Sequence, residues 1–155
     1  LGAVYMTERF LRHGPPTAGE LDELRNAVRK VLDREAETVR PDPAGVFIGT
    51  AGTITTLAAI DQGLAVYDPD RINRHVLGRE FIDDIVRKLS VCTIRDRKKI
   101  RGLEAGREDI ILAGAVIAQE IMSWSGHVSM IVSDGGLREG IIVDLYEKLG
   151  AGKGS

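Results

Sequence analysis

Apolar residues recur along the chain at two spacings, and the change from one to the other marks its elements. Leu21, Leu24, Val28, Val31, Leu32 and Val39 fall on one helical face with charged residues between them. Thr17 stands just before this stripe and Glu20 three positions on, the spacing of a capping box, so a long surface helix is predicted over about 17–40. A shorter helix over about 3–12 carries Val4, Phe10 and Leu11. It ends at His13-Gly14-Pro15, because proline disfavours helical backbone at the residue before it.

Pro41-Asp42-Pro43 breaks the helical pattern, and Val46-Phe47-Ile48 then forms a short apolar run that stops in Gly49-Thr50-Ala51-Gly52-Thr53. This reads as a buried strand entering a tight turn. A helix over about 53–62 follows, with Leu57 and Ile60 inward and Gly63 where a helix-ending glycine sits. Residues 66–78 read as loop, with His75-Val76-Leu77 as a short extended piece. Phe81, Ile82, Ile85, Val86 and Leu89 define the next amphipathic helix, and 94–103 a shorter one. Beyond Arg107 the chain is apolar on every side, through Ile110, Ile111, Leu112, Val116 and Ile117, as in a helix lying between layers. Residues 128–132 form a second buried strand, Ser133-Asp134-Gly135-Gly136 turns the chain, and Leu137, Ile141, Leu145 and Leu149 carry a last amphipathic helix.

Six or seven helices separated by two or three strands imply an α/β layout with mainly parallel pairing. Two central strands fall short of the roughly four to six that sheets commonly have. More strands are therefore expected to complete the sheet, and the chain reads as part of a larger protein. Leu1 in place of methionine, with no signal-peptide pattern, points the same way.

Composition narrows the class. With 155 residues, 43% of them hydrophobic, and a formal net charge of −2, the chain is neither a disordered tail nor a coat for DNA or RNA. Cys92 is the single cysteine, which rules out an intrachain disulfide and suits a reducing, cytoplasmic setting. The longest apolar run, 110–122, contains Gln119 and Glu120 and falls short of the roughly 18 residues of a membrane span, so no membrane partner is expected. The small, polar residues 151–155 read as a flexible tail.

The two glycine turns are the leading candidates for chemistry. Gly49, Thr50, Ala51, Gly52 and Thr53 join a strand to a helix start, where free N–H groups suit an anion, although a plain turn explains the pattern equally well. It matches neither the Walker nor the dinucleotide-binding spacing. Asp134, Gly135, Gly136, Arg138 and Glu139 form the second turn, and in a parallel sheet both turns lie at the carboxyl ends of strands, where ligands collect. Asp134 reads as a helix cap first and as a metal ligand or base second. Arg95, Arg97, Lys98, Lys99 and Arg101 make a charge run best read as a solvated face. Arg107 stands apart at the edge of the apolar helix, where a bidentate phosphate contact competes with an ion pair to Glu104 or Asp109. The three histidines are too scattered for a metal set, and no serine-nucleophile elbow occurs.

Taken in order, Leu1-Gly2-Ala3-Val4 with Thr7-Glu8-Arg9-Phe10, Gly49-Thr50-Ala51-Gly52-Thr53, Gly102-Leu103 with Arg107-Glu108-Asp109-Ile110-Ile111, and Ser133-Asp134-Gly135-Gly136-Leu137-Arg138-Glu139-Gly140 resemble the Ppx/GppA phosphatases. These are the exopolyphosphatases and guanosine pentaphosphate phosphohydrolases, and the resemblance covers essentially the whole chain. It implies an actin-like, ribonuclease-H-like α/β fold, with residues 1–150 as most of the second domain, lacking its first strands. It also implies hydrolysis of terminal phosphoanhydride bonds of polyphosphate or a guanosine nucleotide, with Mg2+ bound outside this chain. By the same resemblance Gly49 to Thr53 correspond to an adenosine-type motif and Arg107 faces the inter-domain cleft. The family's catalytic glutamate and phosphate loops have no counterpart among these residues. The expected partners are the missing N-terminal domain and, through the unpaired strand edge, a second copy of the chain. Tyr5 replaces a residue often basic in relatives, and the length matches the short members of the family. A nucleotide-sensing or assembly module on the same fold is the other reading.

Overall fold

The capping box forms. Thr17 Oγ1 accepts from the Glu20 amide at 3.3 Å, and Glu20 Oε2 accepts from the Thr17 amide at 2.8 Å. Glu20 also accepts from the amide of Arg12 and lies 2.9 Å from His13 Nδ1, so one carboxylate ties the preceding loop to the helix start. In this computed structural model, which describes residues 1–151 apart from the side chains of 137, 138, 150 and 151, α1 spans Ala3–Phe10 and α2 spans Ala18–Glu35. Of the predicted tail at 151–155, Ala151 ends the last helix, and residues 152–155, like the side chain of Arg138, lie outside the described residues. Helix α2 stops five residues short of the predicted end: Val39 is exposed, and the Glu35 carbonyl takes the amides of Thr38 and Val39 in a closing turn.

The apolar run after Arg107 becomes α7 (Ile111–Ser125), in which ten residues are buried. Helices α1, α2, α3 (Gly52–Asp61) and α5 (Arg79–Val91) pack around it. Close approach is possible because small residues repeat along one stretch: the Thr53 side chain rests against Gly114, where a β-carbon would collide with it. Glu120 is buried in α7 and is met by Arg29 of α2 through two bonds, Nε to Oε2 at 2.6 Å and Nη2 to Oε1 at 3.0 Å. That geometry keeps the charge paired, and the carboxylate holds the Arg29 pKa above its ordinary value.

The sheet has three strands, β1 (Ile48–Thr50), β2 (Val76–Gly78) and β3 (Ser129–Ser133), in the order β1-β3-β2. β1 and β3 are parallel, as the pattern predicts, but β2 runs antiparallel to β3, so the sheet is mixed rather than mainly parallel. The reason lies in the approach: Gly63 at φ 57° and the single turn α4 (Pro69–Ile72) reverse the chain, and it meets β3 with Arg74 N donating to the Val132 carbonyl. A second departure concerns 94–103. Only α6 (Ile94–Arg97) is helical there, and the chain then turns through Gly102 at φ 89°, whose backbone lies so close to Ala59 and Ile60 of α3 that no β-carbon fits.

One face of the sheet is buried and the other is bare. Leu77, Met130 and Val132 face the helices, whereas Ile48, Ile131 and Val76, aligned across the three strands by register, are 60%, 38% and 54% exposed. The last helix, α8 (Leu137–Ala151), leaves Ile141, Leu145 and Leu149 exposed, so the expected apolar stripe does not pack inward.

Candidate functional site

Parallel pairing of β1 with β3 puts Gly49 opposite Val132 and Thr50 opposite Ser133, so both strands release their chains at the same end of the sheet. The two glycine turns lie side by side there and are stitched together. Thr50 Oγ1 donates to the Gly135 carbonyl at 2.9 Å, and Ser133 Oγ donates to the same oxygen at 3.1 Å. Between the turns lies a cleft of about 360 Å3 lined by Thr50, Ala51, Gly52, Thr55, Asp134, Gly136 and Glu139.

Ala51 connects β1 to α3 at φ 73° and ψ 167°, a backbone region ordinarily left to glycine. The fold tolerates this conformation at the mouth of the cleft, and no side chain caps the first turn of α3. A helix start without a capping side chain directs its amides and the positive end of its dipole outward, toward an incoming anion. Gly52 has a separate reason to be glycine: a β-carbon there would run into the Arg107 guanidinium, which lies flat against the turn. Arg107 is ion-paired with Glu104, the structural partner that competed with a phosphate in the sequence reading. The remaining predicted positions of the first turn point away from the cleft. Gly49 faces Met130 and Ile54 on the buried side of the sheet, and Thr53 packs on Gly114.

The second turn carries two carboxylates. Glu139 Oε2 accepts from the Gly136 amide at 2.8 Å, which makes it a cap for the start of α8. Asp134 accepts a hydrogen bond from the Tyr67 hydroxyl through Oδ1, and its amide donates to Asn73 Oδ1 at 3.4 Å. Burial, and then the bond to Asp134, push the Tyr67 hydroxyl above the ordinary tyrosine pKa, so it remains a donor at neutral pH.

Tyr67, Asn73 and Thr55 are the site residues that the sequence reading missed. Tyr67 and Asn73 lie in the segment read as loop, where the one available signal was an aromatic before Asp68-Pro69. Arg97 also departs from its expectation. It was grouped with the solvated charge run, yet it is 3% exposed and donates to the carbonyls of Leu89 and Glu108.

A family model, the Ppx/GppA phosphatase family, matches residues 1–149. Exopolyphosphatase 2 of Mycobacterium tuberculosis is 32% identical over 150 residues, covering 94% of this chain and 47% of that protein. Among solved structures, the Ppx/GppA family member of Aquifex aeolicus superposes with a TM-score of 0.86 at 32% identity, covering 95% of this chain and 47% of that one. An exopolyphosphatase-like protein superposes with a TM-score of 0.88 at 30% identity, covering 96% and 49%. The chain thus spans about half the length of these relatives and shares the actin-like, ribonuclease-H-like fold of the corresponding half. Four sequence motifs, the paired glycine turns and these matches agree: the chain belongs to the Ppx/GppA phosphatase family.

Proposed function

We propose that this chain is the ligand-binding half of a cytoplasmic phosphatase that hydrolyses terminal phosphoanhydride bonds of inorganic polyphosphate or guanosine pentaphosphate. The observation that carries the reading is the cleft itself, in which two glycine turns are held edge to edge at the carboxyl ends of parallel strands. A phosphate chain entering it meets the start of α3 first. No side chain caps that start, and the dipole of α3 favours negative charge there. Arg107 lies behind Gly52, its orientation fixed by Glu104, and supplies positive charge beside the turn. Phosphoryl transfer depends mainly on such positioning and charge stabilisation.

Asp134 and Glu139 line the same cleft, and among the described residues no third histidine, cysteine or acid joins them in a metal-binding group. Two carboxylates among the described residues are too few for a magnesium site by themselves. In the proposal, the magnesium ligands, the carboxylate that activates water and the phosphate loops come from the rest of the protein, which also supplies the opposite wall of the cleft.

Phosphate release from polyphosphate and from guanosine pentaphosphate tests this reading, measured for the 155-residue chain alone and for the protein extended to the full length of its relatives. The expected outcome is turnover only by the longer protein, with Arg107→Ala weakening tripolyphosphate binding roughly tenfold, as loss of a charge-assisted contact does. Full-rate turnover by residues 1–155 would overturn the division of labour. Binding without turnover by the longer protein would favour the sensing or assembly module instead.

A further inference from the structure

Among the cations between Arg95 and Arg101, one points inward and the rest point out. Arg97 is 3% exposed and donates to the Leu89 carbonyl at 3.1 Å and the Glu108 carbonyl at 3.0 Å, with the charge of Asp109 acting on it. The turn of α6 continues past its last residue, with the amides of Lys98, Lys99 and Ile100 donating to the carbonyls of Ile94, Asp96 and Arg97. Positions three and four apart share one side of such a turn, so Arg95, Lys98 and Lys99 face solvent opposite Arg97. Arg101 is exposed as well. Thr93 Oγ1 caps the turn by accepting from the Asp96 amide at 3.1 Å, and Gly102, pressed on α3, closes it. The cations thus stand on a fixed frame.

Their charge is largely unmatched. Asp96 is the one acid between Arg95 and Arg101, and it pairs with Lys99 at 2.8 Å. Arg95, Lys98 and Arg101 have no ion pair among the described residues. Four outward cations against one acid give +3, in a chain whose formal net charge is −2, so the remainder carries −5. Gly102 and Leu103, next in the chain, line a groove of about 210 Å3 together with Leu64 and Tyr67. Tyr67 is also the residue whose hydroxyl meets Asp134 at the cleft. Glu104, the acid in the groove wall, is ion-paired with Arg107. The groove therefore joins the cleft, through Tyr67, to the basic turn, through Gly102.

We propose that the basic turn at 95–101 is an outer binding station for inorganic polyphosphate, holding the distal part of a chain whose end lies in the cleft. The inference rests on the reading of the cleft as a phosphate site, and adds that the protein selects long chains. Polyphosphate carries charge on every phosphate and has no bases, so a row of cations without a shaped pocket suits it. No aromatic residue stands between Arg95 and Arg101 to stack on a nucleobase, which separates this face from a site for single-stranded nucleic acid. Holding one chain at two points raises its affinity through effective concentration, and a ligand that ends within the cleft gains nothing from the turn.

The test measures binding of the 155-residue chain to a polyphosphate of several tens of phosphates and to tripolyphosphate, at low ionic strength. The variant joins Arg95→Gln, Lys98→Gln and Arg101→Gln, three exposed changes. It should weaken the long chain roughly tenfold, the sum of three exposed ion pairs, and leave tripolyphosphate unchanged. A control removing equal charge on and after α2, Lys30→Gln with Arg34→Gln and Arg40→Gln, should leave both ligands unchanged. Equal losses in variant and control would assign the effect to net charge and overturn the proposal. Tripolyphosphate binding beside a long chain that ignores the variant overturns this inference and leaves the cleft reading standing, whereas binding of neither ligand overturns both. A single-stranded oligonucleotide of equal charge that binds as tightly as the long chain would assign the face to nucleic acid and overturn it too.

Discussion

Helices α7 and α8 are both fifteen residues long and both apolar on more than one side, yet they end in opposite surroundings. α7 buries ten residues among four other helices, and even its one acid is neutralised by Arg29. α8 leaves Ile141, Ile142, Val143, Leu145, Tyr146 and Leu149 exposed, as the outer face of the sheet leaves Ile48, Ile131 and Val76. The comparison teaches that apolar content states only a demand for cover. Which helix receives cover depends on the layers around it.

Side-chain truncation puts the widest gap between the two. Leu112→Ala in α7 removes a fully buried side chain and should cost about 2–5 kcal/mol in urea unfolding, whereas Leu145→Ala in α8 should stay within about 0.5 kcal/mol. Equal losses would mean that α8 is packed in solution, and the contrast between the helices would disappear.

Association sharpens the same contrast from outside. The bare sheet face, the free edge of β1 and the exposed apolar residues of α8 are each of the kind proteins cover, so self-association is expected at high concentration. Light scattering should report it, and the pair Ile142→Lys with Leu145→Lys should abolish it at little cost in stability. A wild-type chain that stays monomeric and binds no hydrophobic dye would show that this surface needs no partner.

The smallest effect concerns how α2, a neighbour of α7, is held at its start. Glu20 is lowered from 4.5 to about 2, first by the bond from the Thr17 amide and then by His13. A depressed carboxylate stabilises the fold above its unfolded value and loses that contribution as it takes up a proton. The melting temperature of the wild type should therefore exceed that of Glu20→Gln by a constant margin above pH 4.5. The margin should shrink as the pH falls from 4.5 toward about 2. A margin that persists at the acid end would assign the role of Glu20 to packing rather than to charge.

Much of the helical framework was legible because its signals are local. Thr17 and Glu20 announce the start of α2 within four residues, Gly63 marks the end of α3, and the stripe from Ile82 to Leu89 falls on the buried face of α5. The strand-glycine-helix pattern at residues 46–53 located one half of the cleft, and Ser133 to Gly136 the other. What brings the halves together, the Thr50 bond to Gly135, spans 85 residues and leaves no local mark. The same holds for Tyr67, whose partner Asp134 is 67 positions away. Arg97 looked solvated because its neighbours are charged. It is buried with its guanidinium on the carbonyls of Leu89 and Glu108, eight and eleven positions away, which no pattern around residue 97 reveals.

The amino-acid order by itself settled where helices start, which segments are apolar and which family the motifs resemble, since each depends on neighbours a few residues apart. Tertiary structure decided the antiparallel placement of β2, the burial of Arg97 and the joining of two turns into one cleft. Those outcomes depend on which distant surfaces pack together, and packing energy is a property of pairs of surfaces rather than of any single stretch of chain.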